Sequence, residues 1–385
     1  MKFRLLFILT IISTLFTTSC SNDEPKTPEV VDNVLFMYFP WSTSLTHNFR
    51  QNIEDMEIAY KKANIQGQKI VVFFAESERK AELFEIKLDK GHLVHETIKF
   101  YSDINTTTEE GIATVLNDMK TSCVAKEYSM VIGAHGMGWL PVSKTRSLGM
   151  KYYWDYEGKY PTRFFGGLDA NCQTDISTFA NAIRRADMKM EYIYYDVCYM
   201  ANIETAYELK DAANYIIAST SEIMSYGAPY AEIGQYMFGT PDYNAICDGF
   251  LKFYSEFSMP YGTLAVIDCS EIDRLATTMN EINAKFKFNP DYVGLIQRLD
   301  GYTPTIFFDM GSYVSKLCTD KALLDKFNAD LNKVIIKKVN TPQIYSMSMG
   351  RIMIDTFSGI TISDPSENPS TQAMTETKWY KATHK

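Results

Sequence analysis

The feature that most limits the fold is an alternation along the chain. Short, almost wholly apolar runs are separated by stretches whose apolar residues recur at helical spacing. VLFMYF (34–39), KIVVFFAE (69–76), EYSMVIGA (127–134), MEYIYYDV (190–197), NYIIAS (214–219) and LAVIDCS (264–270) are too short for helices and apolar at successive positions. Strands covered by helices on both faces have that composition. From Leu45, Phe49, Ile53, Met56 and Tyr60 keep a helical spacing, and Ile112, Val115, Leu116 and Met119 share one face behind a start at Thr108. Asp175 caps a stripe of Ile176, Phe179, Ala180 and Ile183, ANIETAYELKDA reads as a helix after residue 198, and SEID (270–273) as a helix start. The pattern predicts the α/β class, a mostly parallel sheet flanked by helices. One departure is AELFEIKLDKGHLVHETIKFY, which reads as a hairpin turning at Lys90-Gly91.

Residues 139–172 break the rhythm. They hold Trp139, Pro141, Pro161 and the pair Gly166-Gly167 without a period, so they read as a long surface loop, a kind usually functional or disordered. Beyond about residue 240 the chain becomes more helical. GRIMIDTF and SGITISDP look like short strands, and the last fifteen residues look frayed. The expected organisation is a leader at 1–19, a flexible tether at 20–31, a main α/β domain at 32–240 and an α/β extension at 241–385. With 46% apolar and 14% aromatic residues, both folded parts can build cores.

The leader has the layout of a secretory signal: MKFR, an apolar run LLFILTIISTLF too short to span a membrane, then TTSC. A Cys directly after small residues is where bacterial lipoprotein signals are cut and lipidated, which makes Cys20 the expected anchor. The polar, Pro-bearing SNDEPKTPEV behind it suits a tether. The acidic residues just behind Cys20 resemble the surface-export tags of some Gram-negative lipoproteins, so the expectation is an exported, membrane-anchored lipoprotein of the outer membrane or cell surface of a Gram-negative bacterium. Removing the leader takes Lys2 and Arg4 with it and makes the net charge of −9 still more negative. With no Lys/Arg block anywhere, nucleic acid is excluded as a partner.

The chemistry sits at two strand ends. In VIGAHGMGW, His135 directly follows an apolar strand and is trailed by Gly136 and Gly138. In YIYYDVCYMANIETAYEL, Cys198 ends a second strand and precedes a helix. Ligands of open parallel sheets bind outside the carboxyl ends of strands, so both side chains can emerge into one crevice. A helix N-terminus and a nearby imidazole would favour the thiolate, and the glycines would let a peptide backbone approach. The amides of Gly136 and Cys198 could then form an oxyanion hole. Each residue alone is more often structural; their pairing carries the signal. Seven cysteines occur, without C-x-x-C or disulfide-like spacing. Cys123 lies near a helix end, Cys247 in a helix, and Cys318 beside no strand, while Cys269 at the end of LAVIDCS and Cys172 in the long loop are the two imitators of Cys198.

AHGMGW and DVCYMANIETAYEL resemble the two signature blocks of the clostripain family, in the caspase–gingipain–legumain group of cysteine peptidases. The match runs through His135, Gly136, Gly138, Trp139, Asp196, Cys198, Met200, Glu204, Tyr207, Glu208 and Leu209, and the likeness covers about residues 32–270. It departs at FPWSTSL, where relatives often carry a Gly-Asp-Asn-Asn-Leu run. The resemblance implies a caspase-like fold, a His135–Cys198 dyad without cofactor, and cleavage after basic residues of protein or peptide substrates. Asp196, two residues before the nucleophile, shares its strand face and would pair with a substrate Arg, or more weakly Lys; the alternative is a carboxylate that satisfies backbone amides. Ser219, Glu222 and Tyr230 would build the opposite pocket wall. Family members are often processed after the His block, where Lys144, Arg146, Lys151, Lys159 and Arg163 offer basic sites.

Other constellations are weaker. His92 and His95 lie in the expected hairpin, where positions three apart face opposite ways, so they make no metal pair. SNDE and DPSEN supply carboxylates for calcium, which some relatives need, but neither follows the calcium-loop spacing. There is no phosphate loop and no dinucleotide fingerprint. A monomer is expected. The rival class is a surface-binding lipoprotein that keeps the fold without catalysis; the presence of both dyad members weighs against it. A peptidase selective for Asn or Asp is a second rival, which the charge of Asp196 disfavours.

Overall fold

The computed structural model describes residues 30–63, 66–142 and 172–385. Cys20, the leader, the tether and the basic residues from Lys144 to Arg163 lie outside them.

Nine strands form one sheet: β1 (Val31–Phe39), β2 (Gln68–Ser77), β3 (Lys80–Asp89), β4 (His92–Ser102), β5 (Ala125–Gly133), β6 (Met190–Asp196), β7 (Ala213–Ala218), β8 (Thr263–Asp268) and, after the short β9 (Phe308–Asp309), β10 (Ile335–Asn340). Their order is β10-β8-β7-β6-β5-β1-β2-β3-β4. The middle five, β2-β1-β5-β6-β7, are parallel, and the edges are antiparallel. The edge hairpin turns at Lys90 (φ 48°) and Gly91 (φ 84°), the two positive values of a tight hairpin turn. Three shorter strands follow β10: β11 (Gln343–Ser346) pairs with β12 (Gly350–Met353), and β13 (Thr361–Ile362) pairs with β9.

The apolar runs are explained by burial on two sides. Val34, Phe36 and Tyr38 of β1 join one core layer, and Leu35, Met37 and Phe39 join the other. The first layer is closed by helices Glu109–Ser122, Ile176–Arg185 and Ile272–Lys285, the second by Thr46–Ala63 and Tyr243–Ser255. Local signals set several ends. Thr108 accepts from the Gly111 amide at 3.2 Å, and Asp268 accepts from Ser270 at 2.8 Å before the next helix. Asp175 stands at the expected cap position, but its carboxylate accepts from the Val142 amide at 2.8 Å and not from its own helix.

The C-terminus corrects the sequence reading. The last residues are not frayed: Pro369–Glu376 forms a 3-10 helix and Lys378–Thr383 an α-helix, with Trp379 only 1% exposed. The Trp379 ring meets Tyr207 edge-on at 5.7 Å, so burial of one aromatic offsets the low intrinsic helicity of a short polar tail. Beyond residue 240, β8 and β10 complete the same sheet that carries His135 and Cys198.

Candidate active site

Strand register brings the two signature blocks together. β5 and β6 are parallel neighbours in which Gly133 pairs with Asp196, so His135 and Cys198 each stand two residues past a matched pair. Adjacent strands are separated by about 4.8 Å, so both side chains leave the sheet at the same end and the same height. His135 is half-buried, and its Nε2 lies 3.2 Å from Ser44 Oγ. Ser44 belongs to FPWSTSL, the segment that departs from the family pattern; only that departure marked it beforehand.

Cys198 is fully buried. Its Sγ accepts from the Ile223 amide at 3.3 Å and lies 3.8 Å from the Ile223 carbonyl oxygen. The next residue, Tyr199, has φ 59°, a left-handed conformation that costs a non-glycine residue on the order of 1 kcal/mol. Its amide donates to Ser221 O at 3.0 Å and its ring stacks on Phe307 at 5.0 Å, which holds the turn in place. The expected helix N-terminus at the sulfur is not there. That helix spans Ile203–Leu209, and Asn202 caps it by accepting from Thr205 N at 3.0 Å. A backbone amide of the loop after β7 therefore donates to the sulfur in place of a helix end.

The glycines after His135 also work differently from the expectation. A Cβ on Gly136 would lie 2.1 Å from Val197 Cγ1 and 2.8 Å from Cys198 O. Gly138 has φ 59°, and a Cβ there would lie 2.5 Å from Asn202 Nδ2. Both are needed because the His135 loop lies directly on the Cys198 turn. Trp139 then fastens this loop to the C-terminal region by donating Nε1–H to Ser363 Oγ at 2.9 Å.

The remaining candidates separate into two groups. Asp196 is 1% exposed; Oδ1 accepts from Ala228 N at 3.0 Å and Oδ2 from the Tyr230 hydroxyl at 2.8 Å. The structure thus brings Asp196 and Tyr230 together beneath the Cys198 turn. Ser219 and Glu222 lie in the loop after β7, where their side chains are bonded within the protein. Ser219 Oγ donates to Ser221 O at 3.0 Å and shares a hydrogen bond with Thr263 Oγ1 at 2.9 Å. Glu222 Oε1 accepts from Tyr199 OH at 2.8 Å, Ser346 Oγ at 2.8 Å and Met347 N at 2.9 Å. Both serve as internal braces of the loop after β7.

Comparison with known proteins follows this geometry closely. A model of the clostripain family matches residues 38–378. The chain belongs to the clostripain family. A secreted C11 cysteine protease from Bacteroides thetaiotaomicron, "iotapain", is 52% identical, covering 93% of this chain and all of the other, with a TM-score of 0.86. A clostripain from Bacteroides thetaiotaomicron ATCC 29148, solved with the peptide inhibitor BTN-VLTK-AOMK, is 58% identical over 57% of this chain and 99% of its own, TM-score 0.56. An inactive zymogen C11 protease from Parabacteroides distasonis shares the fold at 24% identity, covering 93% of this chain and all of the other, TM-score 0.78. No curated protein matches the chain. The protein is accordingly a clostripain-family cysteine peptidase of caspase-like fold.

Within the clostripain frame the competing thiols fall away. Because β8 runs antiparallel to β7, Cys269 emerges at the opposite end of the sheet from Cys198, and burial pushes its thiol up to about 12. Burial likewise raises Cys247 to about 12 and Cys123 to about 11, so neither presents a thiolate near neutral pH. Cys318 is buried behind a helix end, and Cys172 is half-buried near His135. Among the described residues no three His, Cys, Asp or Glu side chains converge as a metal site, and no helix is long and apolar enough to cross a membrane.

Glu204 was matched in the sequence without a role. It is 2% exposed; Oε1 accepts from Ser363 N at 2.9 Å while Oε2 has no hydrogen-bond partner among the described residues, and burial pushes the carboxyl up to about 8. Between the unfolded value near 4.5 and about 8, the folded chain holds a proton that the unfolded chain has lost, so stability falls as pH rises through that window. Glu204→Gln, which copies the protonated form, should melt at least about 2 °C above the parent at pH 8 and close to it at pH 5. Thermal melts at the two pH values check this; an equal shift at both would place the effect outside ionisation.

Proposed function

We propose that this peptidase is an endopeptidase that cleaves after Arg or Lys by Cys198–His135 acyl-enzyme chemistry. The observation that supports the reading is the β5/β6 register: His135 and Cys198 each follow the Gly133–Asp196 pair by two residues, with Asp196 the last residue of the strand that leads to Cys198. The Cys198 thiolate attacks the scissile carbonyl carbon, and the oxyanion faces the amides of Gly136 and Cys198. Collapse of the tetrahedral adduct breaks the C–N bond, with His135 delivering a proton to the leaving amine. Water, deprotonated by His135, then releases the acid and restores the thiolate.

Asp196 supplies the charge for a basic P1 side chain, with Tyr230 orienting it. The relative solved with BTN-VLTK-AOMK supports this direction, since its inhibitor's peptide ends in Lys. Full burial of Cys198 suits a covered form that must open before substrate enters. Self-cleavage within 139–172, at one of Lys144, Arg146, Lys151, Lys159 or Arg163, is the proposed trigger. The secreted relative supports export, and lipidation at Cys20 would anchor the mature chain.

A fluorogenic panel with Arg, Lys, Asn, Asp or Leu at P1, run on the 20–385 protein with and without calcium and reductant, tests the assignment. Turnover confined to Arg and Lys is the expected result. Turnover at Asn or Asp would overturn the specificity, and no turnover under any condition would leave a binding protein on this fold.

A further inference from the structure

A cavity opens beside His135, on the side of the sheet away from Asp196. It is walled by Ile132, Leu140, Phe179, Val197 and Met200, with Trp41 and Thr174 at its half-buried rim. Tyr195 of β6 and Val197, just past the strand's end, belong to the core layer of helix Ile176–Arg185. Tyr194 belongs to the opposite layer with Tyr230, the partner of Asp196. The strand's alternation therefore sends the proposed P1 pocket to one face and this cavity to the other. Its volume is about 110 Å³. A single water needs only ~10–15 Å³ by the same measure, so a whole side chain fits. Apart from His135, no lining residue among those described can carry a charge near neutral pH, except the half-buried thiol of Cys172 at the rim.

The direction of the chemistry says what enters. The acyl half of the substrate stays on the sulfur with its P1 side chain toward Asp196. The leaving amine collects its proton from His135, so the residue carrying that amine departs on the His135 side. We infer that this cavity is the S1′ subsite and takes a large uncharged apolar side chain, such as Leu, Met or Phe, from the residue directly after the scissile bond. The inference rests on the Cys198–His135 reading above and adds a second determinant of specificity to it.

Internally quenched peptides that share one unprimed sequence and vary only at P1′ test it. Leu, Met and Phe should exceed Gly about 10- to 100-fold in kcat/KM, as expected for burying a large apolar side chain, and Asp should be the poorest. Ile176→Trp fills the cavity from the first residue of its helix, outside the catalytic groups. It should erase the P1′ preference while hydrolysis of a P1-Lys methyl ester, whose leaving group is too small to need the cavity, stays within about twofold. A second readout needs no variant. The acyl-enzyme formed from that ester should transfer its acyl group to Leu-amide at least about tenfold more readily than to Gly-amide, the amine nitrogen forming the new C–N bond as the C–S bond breaks. A flat P1′ profile together with equal partition would overturn the subsite while leaving the dyad intact. Absence of ester turnover in the parent would overturn the dyad reading, and the subsite with it.

Discussion

Cys198→Ala should lower turnover of a P1-Arg or P1-Lys peptide by roughly a thousandfold or more, because the residue proposed to form the acyl-enzyme is gone. Parallel Cys269→Ala and Cys247→Ala variants should keep activity within a few-fold, since Cys269 leaves the opposite end of the sheet and Cys247 lies inside the helix Tyr243–Ser255. The comparison is informative because Cys269 imitates Cys198 in sequence: each follows an apolar run that ends in Asp. Their difference is strand direction. β6 is parallel to its neighbours and delivers Cys198 to the end occupied by His135, whereas β8 is reversed. Steady-state kinetics on the three variants, with melting curves to confirm folding, give the result. Loss of activity in Cys269→Ala with Cys198→Ala still active would sink the assignment. Gel analysis of the same samples reports on self-cleavage: the Cys198→Ala chain stays intact where the parent is cut within 139–172.

Asp196→Asn should cut kcat/KM for P1 Arg and Lys about 10- to 100-fold and leave a slow P1-Leu substrate unchanged or slightly better. The magnitude is that of a charge-assisted hydrogen bond exchanged for a neutral one. Asn is the right replacement because the site can accommodate it. Its carbonyl oxygen can still accept from the Ala228 amide, and its NH2 can donate to the Tyr230 hydroxyl, a rotor able to accept as well as donate. The fold should therefore survive, separating recognition from stability. Ala at the same position would strand a buried amide and a buried hydroxyl, confounding the two effects. If Arg, Lys and Leu substrates lose activity equally, Asp196 is a scaffold carboxylate and the basic specificity lies elsewhere.

Several features were legible from local pattern alone. Doubly buried strands must be apolar at successive positions, so the six runs marked the sheet, and a side chain immediately past such a run had to leave at its end. That reasoning marked His135 and Cys198 as candidates and found the Lys90-Gly91 hairpin and the Thr108 cap, each set by a handful of adjacent residues. It failed where the partner lies far along the chain. Asp175 occupies a cap position yet serves the Val142 amide. Glu222 looks like a pocket acid but is committed to Tyr199 and to Ser346 and Met347, more than a hundred positions away. Asp300, unremarked in the sequence, accepts from the amides of Tyr302 and Ile306 at 2.7 Å and 2.9 Å, and burial raises it to about 6; the loop it folds places Phe307 against Tyr199.

The order of residues by itself determined the α/β class, the edge hairpin and the two strand ends that hold His135 and Cys198, because hydrophobic period and local turn chemistry act within a few residues. Only the tertiary structure decided that His135 and Cys198 share one end of the sheet, that the sulfur receives an amide from Ile223 and not a helix terminus, and that Ser363, Phe307 and Ser346 brace the two loops. Those outcomes depend on strand order, strand direction and long-range hydrogen bonds, which no local window of the chain contains.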